Sequence, residues 1–210
     1  VLQGIKFLKS ANSNGNPEVG KKVLVIGGGA VAMDCARTAL RLGTEEVHIA
    51  CLESRDEMPT TDYEIEETLH EGAILHVSVG PKRVLEKSGS VVGLETLKVK
   101  SVFDSQGRFN PSFYEGSESV IDADTVILAI GQSSDLSFLE GHESIQITRG
   151  GTITVNPETL CTGMPGVFAG GDVVLGRGTL TMGLGHGKKA ALAIHNYLRK
   201  TTETDNKFRD

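Results

Sequence analysis

Three small residues at fixed spacing, Gly27, Gly29 and Ala32, follow an apolar run at residues 23–26 and precede a segment in which Met33, Ala36, Ala39 and Leu40 recur at helical spacing. Strand, glycine turn and helix in that order make the Gly-x-Gly-x-x-Gly/Ala pattern that seats the pyrophosphate of a dinucleotide. Each small residue has a physical task. Gly27 permits the tight turn, Gly29 lets the backbone come close to phosphate oxygens, and Ala32 lets the helix lie close on the strand. Gly28, Ala30 and Val31 complete the turn, where the N–H groups of the helix start meet its positive dipole end.

The second apolar run, residues 47–52, ends in Glu53, 24 positions after Gly29. A carboxylate there can accept hydrogen bonds from both ribose hydroxyls of NAD and repels the 2′-phosphate of NADP, so the sequence favours NADH. Arg55 keeps NADPH open, because a guanidinium can swing to a phosphate. Glu53 also reads as an ordinary solvated residue at a strand end. Farther along, residues 167–169 run into Gly170, Gly171 and Asp172, which sets a carboxylate at a sheet edge beside glycines that admit a cofactor close to the chain. Asp172 would equally serve as a helix cap or turn former. Behind it, Gly176 and Gly178 and then Thr179, Leu180 and Thr181 lead into a helix whose N-terminus can face an anionic ring. Ile130 and Gly131 close a further strand, another point where a cofactor can reach the backbone. His186 reads as an exposed or capping histidine, and neither a catalytic nor a metal-ligating side chain is assigned.

The elements that must position these residues alternate. Strands at 22–27, 46–52 and 74–79 with helices at 30–42 and 62–71 form a βαβαβ unit, one mononucleotide-binding half of a parallel sheet. Short alternating runs at 91–94 and 97–103, within residues 83–120, predict an antiparallel meander. A strand returns at 125–130, and strands at 151–155 and 166–169 with a helix at 188–198 complete the chain. Residues 1–20, where Leu2, Ile5, Phe7 and Leu8 form a short amphipathic piece before a polar stretch from Ser10 to Gly20, read as a linker. Composition agrees with an α/β protein: 210 residues, 39% of them hydrophobic, and 26 glycines gathered in turns after apolar strands. A net charge of −6 without any basic run excludes nucleic acid as the expected partner. Cys35, Cys51 and Cys161 form no Cys-x-x-Cys, so no redox disulfide or iron–sulfur cluster is legible, and Cys35 and Cys51 are expected in apolar surroundings. No apolar segment of membrane-spanning length and no signal peptide is legible, which predicts a cytoplasmic protein. The chain begins at Val1, as a trimmed or excerpted chain would.

Residues 27–34, Asp56, Glu57, Met58 and Pro59, residues 125–131, and Gly170, Gly171 and Asp172 with residues 187–191 behind them resemble the small (β) subunit of glutamate synthase. Its relatives include the flavin subunit of NADH-dependent ferredoxin:NADP oxidoreductase and the flavin portion of dihydropyrimidine dehydrogenase. The resemblance implies a Rossmann-like NAD(P)-binding domain, residues 21–125, with an antiparallel β meander, and the C-terminal part of an FAD-binding domain, residues 126–210. It implies hydride transfer from the nicotinamide to FAD, with the chemistry residing in the cofactors. Gly27, Gly29 and Ala32 would then bind the nicotinamide dinucleotide, Gly171 and Asp172 the polar chain of FAD, and Thr179, Leu180 and Thr181 would lie beside the isoalloxazine.

Two departures matter. Leu52 and Glu53 stand where many relatives carry an Arg-Arg pair suited to a 2′-phosphate, which strengthens NADH. The family's first FAD glycine motif and its iron–sulfur segment are not in this sequence, so the FAD site is incomplete and an upstream FAD/iron–sulfur portion or a partner redox subunit is expected. The rival expectation is a non-catalytic module that docks or senses a dinucleotide. A disulfide reductase of the thioredoxin-reductase kind is disfavoured for want of a cysteine pair.

Overall fold

The computed structural model describes residues 1–13, 15 and 17–206, with side chains described as far as Arg199. The chain forms two compact units, Val1–Gly131 and Gln132–Asp210.

In the first unit a five-stranded sheet runs β1 (Leu2–Gln3), β9 (Thr125–Leu128), β2 (Lys22–Ile26), β3 (Glu46–Ala50), β4 (Ile74–His76), every pair parallel. Strands β2 and β3 read as continuous apolar runs because both faces are covered. The period-two alternation of a strand sorts them. Val23, Val25, Val47, Ile49 and Ile127 share a core with Ala32, Met33, Cys35, Ala36 and Ala39 of helix α2 (Ala30–Arg41) and Ile65 of helix α3 (Asp62–His70). Leu24, Ile26, Ala50 and Val126 face the other way, against Leu94 and Ile121 of an antiparallel sheet and Ala123 just past its last strand. The chain leaves β2 toward β3 and β4 and returns on the opposite side of β2 at β9, so the carboxyl end of β2 is the topological switch point, where α/β sheets open a crevice.

The antiparallel sheet holds β5 (Val79–Lys87), β6 (Ser90–Phe103), β7 (Phe109–Phe113) and β8 (Ser119–Asp122). The expected meander is present, but its runs at 91–94 and 97–103 are one 14-residue strand. The expected strand 74–79 divides, because Ser78, at φ 55°, turns the chain out of β4 and into β5.

Residues 1–20 were expected to be a linker, and the structure corrects this. β1 pairs with β9, and helix α1 (Gly4–Asn12) buries Phe7 against the helix-side core. Leu2, Phe7 and Leu8 therefore pack. Strand β9 is hydrogen-bonded into this sheet, so the boundary between units follows Gly131 and not residue 125.

The second unit departs further from expectation. Residues 151–155 and 166–169 form no ladder, only the isolated bridges Ile147–Ile153 and Cys161–Phe168, because Gly151, Pro157, Pro165 and Gly166 interrupt them. A four-residue helix α4 (Asp172–Leu175) follows, and the closing helix α5 runs Leu180–Asn206, beginning eight residues before the expected 188.

Candidate functional site

The glycine turn sits on the carboxyl end of β2 and is pinned on both sides. Gly27 N–H donates to the Ala50 carbonyl at 2.9 Å, and Ala129 N–H donates to the Ile26 carbonyl at 2.8 Å. Gly27 has φ +139°, and a β-carbon there would lie 2.3 Å from the Ala129 carbonyl oxygen, so the turn itself demands glycine. A β-carbon on Gly28 would lie 2.9 Å from Oε2 of Glu53 and 3.0 Å from Cβ of Cys51. Gly29 differs. Its φ of −92° suits any residue, and a β-carbon would meet nothing nearer than Pro59 O at 3.9 Å. Nothing in the surrounding protein requires glycine there.

Gly29 is also the N-cap of α2 and offers no side-chain cap; its carbonyl accepts from Ala32 N–H at 2.9 Å and Met33 N–H at 3.3 Å, which leaves the N–H groups of Ala30, exposed, and Val31, half-buried, without a partner among the described residues. Ala32, fully buried, lets the helix lie close on β2. The structure thus places Gly27, Gly28, Gly29, Ala30, Val31 and Ala32 in one turn at the carboxyl end of β2, with the Glu53 carboxylate beside Gly28. Glu53 is fixed through its backbone, its carbonyl accepting from Ser78 N–H at 2.9 Å and from Cys51 Sγ at 3.5 Å.

Arg55 is placed otherwise. It opens the 3-10 turn Arg55–Glu57, and its guanidinium turns to α3, donating to Asp62 Oδ1 at 2.8 Å and Glu66 Oε1 at 3.0 Å. Both ends of that contact are anchored. Ser54 and Glu57 form a capping box on the turn, Thr61 and Glu64 form another on α3, and Arg37 and Arg41 of α2 both reach Glu71. Hydrogen bonds from Thr60 and Thr61 hold the Glu64 carboxyl below the ordinary carboxylate range. Ile130, 73% exposed, and Gly131, at φ 108°, follow the end of β9.

In the second unit Gly171, at φ 74°, is the N-cap of α4 and Asp172 its first residue. Asp172 Oδ1 points at Gly178, where a β-carbon would approach it to 2.8 Å. The helix-cap reading of Asp172 does not hold, since its exposed carboxylate makes no hydrogen bond or ion pair among the described residues. Thr179 caps α5, its Oγ1 accepting from Met182 N–H at 3.2 Å, and Leu180 and Thr181 stand exposed on the first turn. The residue that sequence reasoning missed is His186. Its Nδ1 accepts from Gly171 N–H at 3.0 Å, so a neutral imidazole carrying its proton on Nε2 holds the glycine–aspartate turn to α5. A histidine 15 positions from that glycine leaves no local signal.

The cysteines offer no redox pair. Cys35 and Cys51 are buried, which pushes their thiols up to about 12, and Cys161 is unpaired. Among the described residues there is no cluster of metal-ligating side chains, and no helix is long and apolar enough to cross a membrane.

Residues 1–193 match the family described as pyridine nucleotide-disulphide oxidoreductase. The chain is 44% identical over 203 residues to the NADP(+)-dependent formate dehydrogenase subunit beta of Moorella thermoacetica, covering 96% of this chain and 28% of that protein. It is 36% identical to the glutamate synthase [NADPH] small chain of Azospirillum brasilense, covering 88% of this chain and 38% of that one. The chain therefore spans between a quarter and two-fifths of these relatives' lengths. Thioredoxin reductase of T. acidophilum shares the fold, with a TM-score of 0.70 at 22% identity over 91% of this chain and 56% of that one.

Proposed function

The chain belongs to the pyridine nucleotide-disulphide oxidoreductase family, and from that premise we propose that it is the nicotinamide-binding and flavin-contacting part of an oxidoreductase that passes hydride from NADH to FAD. The observation that carries the reading is Gly29. A glycine that neither its φ nor its neighbours require, at the uncapped start of a helix on a switch point, supports the close approach of an outside anion.

The first unit, Val1–Gly131, would hold the dinucleotide. The N–H groups of Gly29, Ala30 and Val31 would face its pyrophosphate, the shape of the turn would come from Gly27, Gly28 and Ala32, and Glu53 would accept from the adenosine ribose hydroxyls. Ile130 and Gly131 would border the cofactor path at the end of β9. Within the second unit, Asp172 has a carboxylate with no partner among the described residues and Gly178 leaves room beside it, which fits the polar chain of FAD. Thr179, Leu180 and Thr181 would lie beside the flavin ring, with the N-terminal end of α5 favouring negative charge there. Bound FAD would supply the hydride acceptor and the onward relay of electrons. The relatives are named as a beta subunit and a small chain, which supports a partner redox subunit or further segment completing the FAD site and taking the electrons.

A second reading, NADPH as donor, has a specific observation in its favour, because both relatives are named for NADP. NADH is preferred here because Glu53 lies against Gly28 while Arg55 is engaged elsewhere. Calorimetric titration of the full-length protein with NAD+ and NADP+, alongside Glu53→Ala, tests the choice. The proposal expects tighter NAD+ binding and a preference that Glu53→Ala erodes. Binding of neither dinucleotide contradicts the site, and tighter NADP+ binding by the parent protein contradicts the donor.

A further inference from the structure

Arg55 is two residues from Glu53, near enough in sequence to serve a ribose 2′-phosphate, and the structure commits it elsewhere. Nη1 and Nη2 are each bonded to a different carboxylate, so the paired fork with which a guanidinium grips a phosphate is divided between Asp62 and Glu66. Those carboxylates lie four positions apart on α3 and share one face of the helix. Their roots do not drift: α3 is capped by Thr61, anchored by buried Ile65 and tied to α2 through Glu71. Arg55 is the least exposed of the three side chains, at 31% against 57% for Glu66 and 90% for Asp62.

Resting on the dinucleotide site proposed above, we infer that Asp62 and Glu66 are specificity-determining positioning residues. By tethering Arg55 to α3 they withhold the cation that would neutralise a 2′-phosphate, and they leave Glu53 as the charge beside the glycine turn. Discrimination then has two parts: repulsion by Glu53, and the work of detaching Arg55. Two partly exposed ion pairs are individually weak, so the tether sets a discrimination of about one decade. A specificity device of that size can be undone by isosteric changes on the outer face of α3.

The test uses the full-length protein titrated with NAD+ and NADP+. Asp62→Asn with Glu66→Gln should tighten NADP+ binding about tenfold and leave NAD+ within about twofold. The unchanged NAD+ affinity reports an intact fold and site. Adding Arg55→Ala to that pair should remove the gain, while Arg55→Ala alone should leave both affinities within about twofold of the parent. NADP+ binding that does not tighten on release overturns the inference. So does a gain that survives Arg55→Ala, which would be the general effect of deleting two negative charges. If the parent protein binds neither dinucleotide, the underlying site falls and this inference with it; if the parent binds NAD+ and release changes nothing, only this inference falls.

Discussion

Alanine placed at two neighbouring glycines of one turn should have opposite consequences. At Gly27 the backbone has φ +139°, and the new β-carbon would stand 2.3 Å from the Ala129 carbonyl oxygen and 2.8 Å from its carbon, both backbone atoms beyond the core strand β9. Conformational strain of about 1–3 kcal/mol adds to an overpacking cost of about 1–3 kcal/mol, so Gly27→Ala should destabilise by about 3 kcal/mol or more. For a chain of this size that lowers Tm by about 6–12 °C. At Gly29 the backbone is extended and the nearest atom to a β-carbon is 3.9 Å away. The only structural cost there is the preference of an N-cap for glycine over alanine, about 1 kcal/mol or less and so a Tm change within about 3 °C. The added methyl would nevertheless occupy the approach of the pyrophosphate, and NAD+ affinity should fall at least about tenfold, or about 1.4 kcal/mol. Differential scanning calorimetry and isothermal titration of the full-length variants read the two quantities separately. Gly29→Ala binding NAD+ within about twofold of the parent would refute the reasoning, as would equal destabilisation at the two positions.

Other perturbations follow from the titratable groups. Burial, and then the neighbouring His48, lower the pKa of His76 below its ordinary 6.5. The unfolded chain therefore binds this proton more readily, and stability present above pH 6.5 should be lost as the pH falls through the lower folded value. His76→Gln should flatten that slope in a series of denaturant melts. Hydrogen bonds from Arg41 and then Arg37 hold the Glu71 carboxyl below its ordinary 4.5. The pairing stabilises the α2–α3 contact above that value, and the advantage of the parent over Glu71→Gln in Tm should disappear as the pH falls through the lowered folded value. With the thiols of Cys35 and Cys51 buried and pushed up to about 12, a thiol reagent at neutral pH should label the native protein at Cys161 and reach the other two only on unfolding. Rapid native labelling at Cys51 would show that the floor of the glycine turn opens.

The first unit was legible in the sequence where burial on both faces imposes apolar runs, as in β2 and β3, and where a glycine turn follows them. Spacing alone makes Glu53 a candidate ribose acceptor, and the structure sets it three residues past the end of β3 with its carboxylate beside Gly28. The tether of Arg55 was not legible, since Asp62 and Glu66 are brought back by a turn and a helix whose entry angle no local pattern states. Leu2, Ile5, Phe7 and Leu8 make residues 1–12 amphipathic, but a two-residue edge strand and a nine-residue helix are too short for that pattern to tell a packed element from a tether, and Phe7 is almost fully buried. In the second unit Gly183, Gly185 and Gly187 hid the first turns of α5, as each glycine disfavours a helix by about 1 kcal/mol. His186 lies in that same masked stretch, which is why its bond to Gly171 emerges only from the three-dimensional arrangement.

The most direct test of the central claim is anaerobic addition of NADH to the full-length protein while the visible absorbance of its flavin is followed, with Gly29→Ala beside it. NADH should bleach the flavin of the parent protein, and the variant, equally folded, should bleach far more slowly at sub-saturating NADH. A flavin that stays oxidised in the parent protein with both NADH and NADPH would contradict that claim.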